Sequence, residues 1–398
     1  MAVTLPIGER IRYWREKKQR KQAAVAGLCG ITEEYLSQIE RGLKTPSLPV
    51  LRALAAELGV PTSALLDETP GEPSGKNGGV AQDVTRALMG YGPPRSSPPL
   101  SSTALREQVE SAWRMWQTSP TRFTDAATVL PPLVADTEHA VRVHRTGTDS
   151  DSRRDVLRTA ADLYFLLRSY CRRADRVDLS LMVADRGLRA AEDADDPIRI
   201  AAAQWNLGHV LLADGEHEGA EQVARLGVEQ LATSQEGEAV ALAGALELVA
   251  VVADARRKRW WNARQRLQDK AVPRARQVGE GNSMWTVFGL TNVELHGVSI
   301  EMEAGETTEA LRVADQIDTS CLPSLERRFT FLLEVARCCD LRREDAAVLV
   351  HLLDLLQSAP EDLARSPLAQ DMVIRLRRRV RPTYRRQVDM LTERLGLL

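Results

Sequence analysis

The chain has 398 residues, of which 43% are hydrophobic, 27% charged and only 5% aromatic, with a formal net charge of −2. That profile predicts a globular chain of two or three domains built from helix formers, and excludes a disordered or fibrous protein. Five scattered cysteines (Cys29, Cys171, Cys321, Cys338, Cys339) exclude a disulfide framework. No apolar window is long enough to span a bilayer, and the opening MAVTLPIGERIRYWREKK lacks the apolar core of a secretory leader. The expectation is therefore a cytoplasmic protein without a membrane partner.

The first predicted helix runs from about Gly8 to Lys18, with Ile7, Ile11 and Trp14 on one face. A second covers Gln22 to Leu28, with Ala23, Val25 and Ala26 inward. Gly30 then supplies a tight turn, Ile31 plugs the core, and Thr32 caps a third helix that ends near Glu40. That helix buries Leu36 and Ile39 and turns Glu33, Glu34, Ser37 and Gln38 away from them. A fourth helix begins near Ser47 and carries Val50, Leu51, Leu54, Ala55 and Leu58, and a short fifth contains Leu65 and Leu66. The charge is uneven: ten Lys or Arg against five acids give residues 1–52 a formal +5, leaving −7 on the rest. A small basic head on an acidic helical body points to a DNA-binding module attached to something else.

Two short helices joined by a tight glycine turn are the helix-turn-helix geometry, in which the second helix enters the major groove. Gln22, Ala26 and Gly30 at a spacing of four, then ITEEYLSQIERG and KTPSLPVLRALAAELGV, resemble the phage-repressor type of bacterial regulator, the XRE family. The resemblance implies a lambda-repressor-like domain of five helices at residues 1–68. It also implies base reading by Glu33, Glu34, Ser37 and Gln38, and phosphate contacts by Gln22, Thr32, Arg41, Lys44 and Ser47. The side-chain chemistry agrees, since Gln reads adenine, Glu accepts from cytosine, and Arg and Lys add sequence-blind affinity. One departure stands out: Arg20 replaces a customary apolar residue.

A polar stretch from Thr69 to Leu100 holds six Pro and six Gly, so residues 69–101 are predicted to be a flexible linker. Inside it, VAQDVTRALM reads as a transient helix. From Ser102 to Leu398 apolar residues recur at helical spacing throughout. Ala201–Ser234 resembles the tetratricopeptide pattern, with Gly208 and Ala220 at a close approach of two helices and Gly215 in the turn. A second register from Thr291 places Gly305 in its turn. Asp155–Arg172 with Leu179–Glu192, Glu238–Ala255 with Lys258–Ala271, and Leu325–Cys339 with Asp345–Leu356 make further pairs.

The predicted fold class is thus all-α: a helix-turn-helix domain joined to a tetratricopeptide-like α-solenoid at 102–398. The body segments, among them ADLYFLL, VADRGLRAAEDADDP and LPSLERRFTFLLEVAR, resemble those of XRE regulators of the actinobacterial type. In such repeats ligands lie along the surface made by the first helix of each unit, which implies Trp205, Asn206 and His209 from one unit and Asn292, His296 and Ser299 from the other. No phosphate loop, zinc motif or nucleophile elbow occurs, so no enzyme, metal or cofactor is expected. The expected function is a sequence-specific transcriptional regulator that binds a double-stranded DNA operator as a homodimer, controlled by a small molecule or peptide. The alternative is an interaction scaffold localised to DNA.

Overall fold

A computed structural model of the chain describes residues 6–60, 62, 65, 82–90, 98–145, 149–320 and 322–397. Every regular element among them is a helix. They pack into two units, one within residues 1–76 and one within 77–398.

The first unit contains α1 (Ile7–Lys17), α2 (Gln22–Leu28), α3 (Glu33–Glu40) and α4 (Leu48–Leu58). Ile11, Val25, Leu36, Ile39, Leu54 and Leu65 are wholly enclosed and form one core. The turn between α2 and α3 works as its sequence predicts: Gly30 sits at φ +68, in the left-handed region that a glycine adopts without cost. Thr32 Oγ1 then accepts the Tyr35 amide at 3.2 Å and caps α3. Ala23 departs from expectation. It is exposed, because a helix of seven residues has room for only one inward stripe, which Val25 and Ala26 fill. Arg20, at the customary apolar position, pairs with Glu57 on α4. Leu66, expected in a fifth helix, lies outside the described residues, as does most of the 69–101 segment.

The second unit begins earlier than 102. Residues expected to flicker as a transient helix form α5 (Gln82–Leu88), whose Val84 and Leu88 are buried in the body's main core. The breakers around this segment dominate its sequence reading, but two apolar side chains four apart suffice once a neighbouring helix covers them.

Then follow α6 (Ser102–Thr118), α7 (Arg122–His144), α8 (Ser150–Arg173), α9 (Val177–Asp193), α10 (Pro197–Asp214), α11 (His217–Gln230) and α12 (Gly237–Arg256). Next, α13 (Trp260–Arg266) continues through a π-turn at Leu267–Ala271 into α14 (Val272–Val278). After a loop come α15 (Leu290–Ala304), α16 (Thr307–Ala314), α17 (Leu325–Leu341) and α18 (Asp345–Ser358). The unit ends with α19 (Pro360–Arg365), α20 (Pro367–Arg379) and α21 (Arg385–Arg394).

From α8 onward the helices pair, and the first members stack in succession: α8 on α10, α10 on α12, α12 on α15, α15 on α17. This is a helical-repeat solenoid. Gly215 and Gly305 turn the chain at φ +87 and +85, as their register predicts. Gly208 serves a different contact from the expected one. A Cβ there would meet Val249 Cγ1 at 2.8 Å, so its missing side chain lets successive first helices approach, rather than the two helices of its own pair.

The row of first helices curls until α17 returns to α6, which itself packs on α8. Arg122, at the start of α7 and 0% exposed, fastens this closure. Its guanidinium donates to Asp362 on α19 through Nε at 3.0 Å and through Nη2, and stacks 4.4 Å from the Trp116 ring.

Candidate functional site

In the first unit, α3 turns Leu36 and Ile39 into the core and leaves Glu33 and Glu34 exposed and Ser37 and Gln38 half-buried on the remaining faces. Gln38 Nε2 donates weakly to Glu34 Oε1 at 3.4 Å, while Gln38 Oε1 has no partner. Arg41, Lys44 and Ser47 are exposed beyond the helix. Arg41 Nε leans on the Ser37 carbonyl at 3.4 Å, and Lys44 Nζ lies 5.4 Å from the Tyr35 ring. The nine residues expected to face DNA thus fall on α3 and its flanks, except that Gln22 starts α2 and is engaged: its Nε2 donates to Glu40 Oε2 at 2.9 Å. Glu40 also accepts from Arg15 at 2.7 and 2.9 Å. Glu40 was not singled out in the sequence, though an acid in the last turn of a helix, against the dipole, is a signal that something pairs with it.

In the second unit the curled row lines a partly open cavity of about 220 Å³. Trp205, His209, Asn292, His296 and Ser299 all line it, brought together from α10 and α15. Asn206 does not. It is 1% exposed, and its side chain accepts from Arg168 Nε at 2.7 Å and donates to the Ala202 carbonyl at 2.8 Å. The helical period explains the miss: Trp205 and His209 share a stripe, while the neighbouring position faces α8. Asn206 therefore orients a cavity arginine instead of lining the cavity.

What the register did not reveal is the cavity's charge. Arg168, Arg172, Arg173, Arg256 and Arg327 all line it, against Glu303, Glu326 and Glu334. Arg172 and Arg173 both donate to Glu326, at 3.1 and 2.9 Å, and Arg122 approaches the same carboxylate at 3.4 Å. The signal was present as Arg168 within the mostly apolar run ADLYFLLRSYC of α8, with Arg172 immediately after it. In the same lining Trp113 stacks on Trp285, with centroids 5.3 Å apart and planes 2° from parallel. Trp285 rides a strained loop in which Met284, Trp285 and Val287 all have positive φ, a rare state for non-glycine residues and most of all for β-branched Val287. A polar network holds the loop in place: Asn282 Nδ2 donates to Gln117 Oε1 at 2.7 Å, and Gln117 Nε2 to the Trp285 carbonyl at 3.1 Å.

The cavity shifts its ionisable groups in opposite directions. Burial, then Arg327, pushes the His296 imidazole down to about 4, and burial with Arg168 holds His209 well below its ordinary value. Burial pushes the Glu334 carboxyl up to about 7, even though Ser299 Oγ donates to it at 2.6 Å. Burial would also raise Glu326, but Arg173, Arg122 and Arg172 hold it well below the usual range. A neutral buried histidine contributes stability at high pH that is lost as pH falls from the unfolded value near 6.5 to about 4. Glu334 has the opposite sign, its contribution being lost as pH rises through about 7. His296→Gln is accordingly expected to reduce the loss of melting temperature between pH 7 and pH 4.5. Glu334→Gln is expected to steepen it, as read by thermal unfolding at each pH.

Other basic and aromatic runs are absorbed structurally. Arg257 and Arg259 pair with Glu221, leaving Trp261 as a 75% exposed ridge. In the arginine-rich stretch near the C-terminal end, Arg375 and Arg379 hold Asp340, and Arg377 holds Asp389. No cluster of His, Cys, Asp or Glu among the described residues could hold a metal. No described helix is long and apolar enough to cross a membrane.

Comparison with known proteins places a likeness on the first unit. Residues 11–65 match the family model described as helix-turn-helix. The HTH-type transcriptional regulator SinR of Bacillus subtilis is 41% identical over 63 residues, 16% of this chain and 57% of that protein. The immunity repressor protein of Bacillus phage phi105 is 34% identical over 64 residues, 16% of this chain and 44% of that protein. The chain thus spans about half the length of the curated relatives it matches. The crystal structure of Bacillus thuringiensis PlcR in complex with the peptide PapR7 and DNA overlaps 87% of this chain and 99% of that one. Its TM-score is only 0.32, at 10% identity. Residues 11–65 are therefore a helix-turn-helix segment, similar to those of bacterial and phage transcriptional regulators.

Proposed function

We propose that the chain is a sequence-specific DNA-binding transcriptional regulator whose helical body senses an effector in the central cavity. The observation that carries the first half is α3: a capped helix within the matched segment, presenting Glu33, Glu34, Ser37 and Gln38 beside the exposed cations Arg41 and Lys44. In this reading the head is a lambda-repressor-like domain of five helices, and residues 69–81 and 91–101 are linker on either side of α5. One small head grips DNA weakly, so two copies on a pseudo-palindromic operator are the expected binding form. Thr32 and Ser47 approach phosphates in this arrangement, and Gln22 joins them through groups not already committed to Glu40.

For the second half, the cavity favours a small molecule over an extended peptide. Its volume of about 220 Å³ lies below the ~300–1,000 Å³ of drug-sized sites. The tetratricopeptide-like register supports the same assignment, because Trp205, His209, Asn292, His296 and Ser299 all line that cavity.

Selection of bound DNA from a random pool by the full chain is expected to enrich one motif, and failure to enrich any at varied salt removes the proposal. Against that motif, Gln38→Ala is expected to relax preference at one base pair at a cost of ~1–3 kcal/mol. Lys44→Ala is expected to weaken related sites uniformly and to reduce the salt slope by about one. Competition binding against single-base variants separates the two.

A further inference from the structure

The cavity's chemistry narrows what can occupy it, an inference that rests on the effector reading above. Five arginines line it, three of them (Arg168, Arg172 and Arg173) from one helix and the others Arg256 and Arg327. They face one strongly ionised carboxylate, Glu326, which Arg122 also approaches. A second acid, Glu334, faces Ser299 and is held partly neutral near pH 7 by burial, and a third, Glu303, completes the acidic lining. Both cavity histidines are neutral, so they add no charge. Positive charge therefore exceeds negative in a site where an unpaired charge costs several kcal/mol.

The hydrogen bonding is unfinished as well. Arg172 Nε is enclosed with no partner, and Asn292, 1% exposed and lining the cavity, has an Oδ1 with none. The Arg327 guanidinium makes no hydrogen bond among the described residues. Guanidinium groups are the side chains that best recognise planar or tetrahedral oxyanions. The apolar lining is partly aromatic, with the Trp113–Trp285 stack, Trp116, Trp205 and Phe331, and partly aliphatic, with Leu212, Val252 and Leu295. The volume exceeds the ~150 Å³ of an apolar cavity known to accept benzene, so one or two fused rings fit.

We propose that the cavity binds a small aromatic organic anion, its carboxylate or phosphoryl head among Arg168, Arg172 and Arg327 and its ring beside the Trp113–Trp285 stack. Asn292 then accepts a hydrogen bond from a donor on the ligand body.

The test uses two ring-matched probe pairs, each an anion and a neutral counterpart, with the full chain, measured by isothermal titration calorimetry. Indole-3-acetate is compared with indole-3-acetamide, and 1-naphthyl phosphate with 1-naphthol. At least one anion is expected to bind ten-fold or more tightly than its neutral partner, and which one does so distinguishes carboxylate from phosphoryl. Equal binding within both pairs, or no binding by either anion, overturns the proposal. Arg327→Gln is expected to remove most of the anion's advantage while leaving the neutral partner unchanged. If that variant fails to fold, the ratio on the unaltered chain still decides. Fluorescence anisotropy with the selected DNA is read alongside. An anion that binds without altering DNA affinity overturns the effector reading and leaves the anion site standing.

Discussion

Asp362→Ala is expected to destabilise the helical body by ~3–5 kcal/mol, read as a shift in its urea unfolding midpoint. Arg122 is wholly enclosed, and its two bonds to Asp362 are the main compensation for its charge. The remaining partners are Glu326 at 3.4 Å, already shared with Arg172 and Arg173, and the Trp116 carbonyl at 3.5 Å. Removing Asp362 leaves a buried cation without its main carboxylate partner. Replacing both members together, as Arg122→Met with Asp362→Leu, is expected to recover most of the loss, because the desolvation penalty leaves with the charges. A double variant as unstable as the single one would mean that the geometry of the pair, not its electrostatics, holds the closure. The consequence reaches the cavity. Arg122 joins α7 to α19 across a sequence separation of 240, and loosening that join is expected to weaken binding of any cavity ligand even where the protein still folds.

That long separation also marks where sequence reading stops. The head was legible because its signals are local: Gly30 for a left-handed turn, Thr32 for a cap three residues before Tyr35, and Leu36 and Ile39 for one face. The repeat pairs were legible for the same reason, and five of the six residues that a register counted along α10 and α15 picks out as ligand contacts line the cavity. The register erred at Asn206, where the difference between lining the cavity and supporting it is a rotation of about 100° per residue.

Closure was not legible, because nothing near Arg122 in the chain names Asp362. The cavity's excess charge was therefore hidden too. Arg168 and Arg327 belong to helices far apart in sequence, and only the curl of the row brings them to one space. Residues 82–88 were misjudged for a related reason. Their order comes from burial of Val84 and Leu88 in a core assembled from later helices.

Glu40→Ala is expected to destabilise the head by about 3 kcal/mol and to weaken DNA binding at least ten-fold. Two arguments about Glu40 predict opposite signs, which makes the measurement informative. As a negative charge in the last turn of α3 it opposes the helix dipole and repels phosphate, so its removal alone would raise both helix stability and DNA affinity. But Glu40 is 5% exposed and is the joint of the head. Arg15 from α1 donates to both its oxygens, and Gln22 from α2 donates to one of them. Alanine leaves the Arg15 guanidinium with only its bond to the Arg20 carbonyl and the approach of Glu16 at 3.5 Å, and leaves the Gln22 amide unpaired. Loss of three charge-assisted bonds outweighs a dipole effect of ~0.3–1 kcal/mol. Glu40→Gln keeps the acceptor oxygen without the charge, and is expected to fall between alanine and the native residue in stability. Anisotropy titrations at two salt concentrations complete the comparison. If the variants bind more tightly at low salt and no differently at high salt, phosphate repulsion is the dominant role of Glu40. If they bind more weakly at both, the carboxylate's work is to hold α1 and α2 in the position from which α3 reaches the groove.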